Sequence, residues 1–178
     1  MVLADAAAWQ TAWATVPAVK NDSWKANLAN KVDSLVTGLL TTNGLFKAPG
    51  QPALTFTFAK STFQGALTDN KPATLANAFE TAILASTYVV PINSFIGTDT
   101  PATKFSAVAS CVVDPASVAL AKAKFLEIVG LEPVKAANKS QFPVKLRDAF
   151  LLLTVTTTGT NSVAPTPSPL TDPGRALQ

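Results

Sequence analysis

The sequence predicts a helix-dominated α+β fold with four or five amphipathic helices, a small β-sheet and an extended, proline-rich C-terminal arm. Three observations support this prediction. Apolar residues recur at helical spacing in several segments, short segments are rich in β-branched residues, and prolines punctuate the end of the chain. The 178 residues suffice for a single globular domain, which we place at 1–158, followed by the Pro/Ser/Thr-rich arm at 159–178.

The N-terminal part of the chain predicts two helices. In the first, Trp9 and Trp13 lie four residues apart and so share one face, and Pro17 ends the helix. The second begins after Asp22 or Ser23, which are both favourable N-caps. Its apolar residues form a stripe that is typical of a helix packed on one side against a core. The stripe consists of Trp24, Leu28, Val32, Leu35, Val36, Leu39 and Leu40.

The middle of the chain predicts a strand and a third helix. Residues 53–59 contain a run that alternates between apolar and β-forming polar residues, which indicates a half-buried strand. Pro72 occupies the position of a first-turn proline and opens the helix. The helix extends towards Val90 and is ended by Pro91. Its apolar face consists of Leu75, Phe79 and Ile83.

A fourth helix is predicted to begin at Asp114 and Pro115, with the aspartate as N-cap and the proline in the first turn. Gly130 ends it. Its apolar face consists of Val118, Ala121, Phe125, Ile128 and Val129. The segment before it, 105–113, is compatible with either a strand or a buried helix.

The last part of the domain predicts a fifth helix and a second strand. The helix begins near Phe142 and Pro143. Residues 150–158 are enriched in β-branched types and favour a strand, while the beginning of this segment also suits an extension of the helix through Leu153. We expect 150–158 to pair with 53–59 in one small sheet.

The residues that usually carry catalysis are scarce, since the chain has no histidine and a single cysteine. Without histidine, a Ser-His-Asp triad, a Cys-His pair or a histidine-containing zinc site is excluded. Cys111 lies in an apolar stretch typical of a buried, inert thiol. The carboxylates of Glu127 and Glu132 are interpreted as solvated surface acids rather than a catalytic pair. We therefore predict no enzymatic activity and no catalytic, cofactor-binding or metal-binding residues.

Charge and targeting signals limit the expected partners. Charged residues make up 14% of the chain, whereas about 25% is usual. A weakly charged surface rich in alanine and threonine suits a protein covered by neighbouring subunits, because charge favours the solubility of free monomers. The net charge of +3 resides between Lys122 and Asp148 and is typical of solvated lysines, so nucleic-acid binding is not expected. We also expect no signal peptide and no transmembrane segment.

These features together favour a structural role. We predict a non-catalytic assembly subunit of a large protein particle, most concretely a viral or phage virion component (capsid, neck or tail) assembled in the host cytoplasm. Its partners would be other protein subunits. The candidate contact residues are Trp9, Trp13, Pro165, Pro167 and Pro169, because tryptophan anchors interfaces and a proline-rich arm reaches a neighbour. The alternative is a soluble helical adaptor or a module that binds a hydrophobic ligand between its helices.

Overall fold

The computed structural model describes residues 24–36, 55–69, 71–89, 105–130, 141–161 and 168–176. Helices dominate this part of the chain, and the fold is α+β as predicted. The elements are α1 (Trp24–Leu35), β1 (Thr55–Thr57), α2 (Lys60–Ala66), α3 (Pro72–Ala85), β2 (Thr87–Val89), β3 (Phe105–Val113), α4 (Pro115–Gly130), α5 (Gln141–Leu151), β4 (Thr154–Asn161) and β5 (Ser168–Ala176).

The described strands form two antiparallel sheets. In the first, β1 pairs with β2 and places Phe56 opposite Tyr88. In the second, β4 lies between β3 and β5. The prediction that 53–59 and 150–158 share one sheet is therefore wrong. Strand β1 pairs with β2, which follows α3 directly in the sequence. The segment 150–158 contributes to β4, which pairs with β3 and β5.

Helix α3 ends at Ala85, before the end predicted from the sequence. The Ser86 hydroxyl donates to the carbonyl of Ala82 at 2.7 Å and accepts the backbone N–H of Ala59 at 3.1 Å. The chain then continues as β2, whose Tyr88 is buried. The spacing of apolar residues does not reveal this change from helix to strand, because the strand, like the helix, buries an apolar side chain. Val90 and Pro91 lie outside the described residues.

The two segments of ambiguous structure are now assigned. Residues 105–113 form strand β3. The segment 150–158 divides, because α5 continues through Leu151 and β4 begins only at Thr154. The backbone N–H of Leu153 donates to the carbonyl of Phe150 at 3.1 Å and closes the turn between them. The short helix α2, with Phe63 as its buried residue, was not predicted.

The helices bury the faces expected from their apolar spacing. In α1, Val32 is buried, as is Val36 just beyond its end. The predicted apolar residues of α3 and four of those of α4 are also buried, namely Leu75, Phe79, Ile83, Val118, Ala121, Phe125 and Val129. The first predicted helix and the two N-cap candidates of the second lie outside the described residues.

Aromatic rings connect the elements of the core. Phe79 of α3 and Phe125 of α4 stack with their centroids 4.4 Å apart and their planes at 5°. Phe150 of α5 meets Phe79 edge-on at 5.5 Å and Phe56 at 6.4 Å. Phe56 in turn lies 5.1 Å from Tyr88. These five residues, the aromatic cluster, join three helices to the two-stranded sheet.

We expect Phe79→Ala to lower the free energy of unfolding by about 3–5 kcal/mol, because it removes a fully buried ring and leaves a cavity. Equilibrium urea denaturation measures this loss. Leu84→Ala is the control in the same helix, since Leu84 is 52% exposed and its truncation should cost about 0.5 kcal/mol or less. Equal losses for the two variants would contradict the central position of Phe79.

Tyr88 offers a spectroscopic test of the core, because it is the only tyrosine of the chain. Its hydroxyl donates to the carbonyl of Ile83 at 3.2 Å. Burial, with a smaller contribution from nearby Cys111, raises the pKa of Tyr88 above its ordinary value of 10.0. The folded state therefore holds the phenol proton more tightly than the unfolded state does. The resulting stabilisation is complete below about pH 10 and is lost as the pH rises further.

We expect phenolate absorbance of the native protein to appear above the usual titration range of tyrosine. The Tyr88→Phe variant should lose the part of the alkaline destabilisation that comes from this group. Unfolding measured across the alkaline range for both proteins isolates the effect. A native phenol that titrates at its ordinary value would contradict the burial of Tyr88.

Candidate interaction surface

Helix α4 is apolar on its outer side as well as on its inner side. Its inner face packs into the core through Val118, Phe125 and Val129. Five apolar residues lie on the opposite side and are exposed, namely Ala116, Ala119, Leu120, Ala123 and Leu126. Leu120 is 60% exposed and Leu126 is 43% exposed. The helix therefore has one buried apolar face and a second, exposed face that carries two leucines.

A further exposed leucine, Leu84, lies on α3, which packs beside α4. Lys122 of α4 and Glu80 of α3 form an ion pair at 2.6 Å across this boundary. Leu84 lies one helical turn after Glu80, and Leu126 lies one turn after Lys122, so both leucines flank the pair. We define the outer surface as Ala73, Leu84, Ala116, Ala119, Leu120, Ala123 and Leu126, all of which are exposed.

The charged residues around the outer surface neutralise one another. Besides the Glu80–Lys122 pair, Lys124 lies 3.0 Å from Glu127 on α4. Exposed pairs of this kind contribute about 0–1 kcal/mol to stability. Their effect here is on recognition, because a surface without net charge attracts neither a strongly acidic nor a strongly basic partner.

A second polar feature, the polar junction, joins the start of α4 to β4. The carboxylate of Asp114 accepts the hydroxyls of Thr154 and Thr156, each at 2.6 Å. The backbone N–H of Thr154 donates to the Ser117 hydroxyl at 3.1 Å, and that hydroxyl donates to the carbonyl of Asp114 at 2.7 Å. The carboxylate of Asp114, which was predicted to cap the helix, thus positions β4 relative to the helix.

Cys111 lies in β3 and is half-buried beside the core. Thr157 of the adjacent strand donates its hydroxyl to the Cys111 sulfur at 3.3 Å. Thr157 itself is 2% exposed. Both side chains therefore act as packing groups between β3 and β4.

Of the contact residues predicted from the sequence, only Pro169 lies within the described part of the chain. It lies in β5 opposite Thr160 and is exposed. Trp9, Trp13, Pro165 and Pro167 lie outside the described residues, as does Glu132. The described partner of Glu127 is Lys124. The role of these five residues in subunit contacts therefore stays a prediction.

Sequence reasoning identified the inner face of α4 but missed its outer face. The signal was present, since Ala116, Leu120, Ala123 and Glu127 are spaced along one side of the helix with a single charge among them. Alanine hides this signal, because it is common both in cores and on solvated helices.

Within residues 24–36, 55–69, 71–89, 105–130, 141–161 and 168–176, no group of three or more histidine, cysteine or acidic side chains is arranged to hold a metal ion. None of the helices found there has the length and hydrophobicity to cross a bilayer. Comparisons of the chain with protein-family models, with curated proteins and with solved structures each find no match.

We expect Asp114→Ala to lower the free energy of unfolding by about 1–3 kcal/mol, because two threonine hydroxyls lose a charged acceptor. Urea denaturation measures the change. The matched control is Ser110→Ala, which removes the exposed hydrogen bond between the hydroxyls of Ser110 and Thr158. That variant should lose about 0.5 kcal/mol or less. An Asp114→Ala protein as stable as the control would show that the junction does not hold β4 in place.

Proposed function

We propose that the chain is a non-catalytic assembly subunit of a multi-protein particle, and that the outer surface of α3 and α4 contacts a neighbouring subunit. The observation that carries the proposal is the apolar outer face of α4, where Leu120 is 60% exposed. Exposed apolar side chains that are grouped on one face of a helix are a common mark of an interface.

The size of the surface favours a particle over a simple pair. Burying a leucine completely contributes about 1.5–3 kcal/mol, so covering the three partly exposed leucines of the outer surface contributes on the order of 2–5 kcal/mol. Association costs about 4–15 kcal/mol in lost translational and rotational freedom. One such surface is therefore too weak alone. It becomes effective when each subunit has several neighbours, because each contact then raises the effective concentration for the next.

The composition supports a virion component as the concrete form of this particle. Only 14% of the residues are charged, and alanine and threonine are abundant, as suits a chain surrounded by other subunits. The expected partners are proteins rather than nucleic acid. The net positive charge resides between Lys122 and Asp148. Three bases of this segment, Lys122, Lys124 and Arg147, lie within ion-pair distance of carboxylates, which weakens their electrostatic attraction for phosphate groups.

We expect the double variant Leu120→Gln/Leu126→Gln to weaken self-association or particle incorporation at least tenfold, because it places two amides in the contact. Light scattering coupled to size-exclusion chromatography measures the mass over a range of concentrations. Leu152→Gln is the matched control, since Leu152 is 40% exposed but lies in the turn after α5. All three proteins should keep the same melting temperature.

Two results would count against the proposal. One is a wild-type chain that stays monomeric at every concentration tested and does not enter particles in cells. The other is an equal loss of association in the control, which would show that the outer surface of α3 and α4 has no special role.

A further inference from the structure

We draw no further inference here: the strongest candidate, the pair of exposed leucines Leu120 and Leu126 on the outer face of α4, belongs to the surface already described, and nothing in the described part of the chain shows which molecule covers it.

Discussion

The stacked rings of Phe79 and Phe125 fix how α3 lies against α4, and the other elements are arranged around that contact. Their centroids are 4.4 Å apart, and Phe150 of α5 packs edge-on against Phe79. Phe56 and Tyr88 extend the same cluster to the two-stranded sheet. Because this cluster determines which side of each helix faces inward, it also determines which apolar residues remain outside.

The outer surface follows from the same geometry. Once Phe125 turns inward, Leu120 and Leu126 of α4 are left exposed. The ion pair between Glu80 and Lys122 marks the boundary between α3 and α4 on this side. A second set of contacts, at the polar junction of Asp114, ties α4 to β4 and so carries the position of the helices to the three-stranded sheet. The outer surface and the three-stranded sheet thus belong to one connected framework.

Local patterns predicted four of the five described helices and the inner faces of α3 and α4, because a repeat such as Leu75, Phe79 and Ile83 leaves one choice of buried side. Long-range choices were harder. The pairing of β1 with β2 depends on Ser86 ending α3, and no local rule specifies that. Asp114 fits a capping rule, whereas in the structure its carboxylate accepts hydroxyls from the distant Thr154 and Thr156. The sequence pattern did not predict the outer surface, because alanine is common both in buried cores and on exposed helices.

We propose that this chain acts by contact with other subunits rather than alone. Native mass spectrometry of the complex purified from its natural source tests this proposal most directly, since it reports mass and composition together. We expect an assembly with several protein subunits, including repeated copies of the 18.5 kDa chain. Recovery of the chain solely as a free monomer of that mass would contradict it.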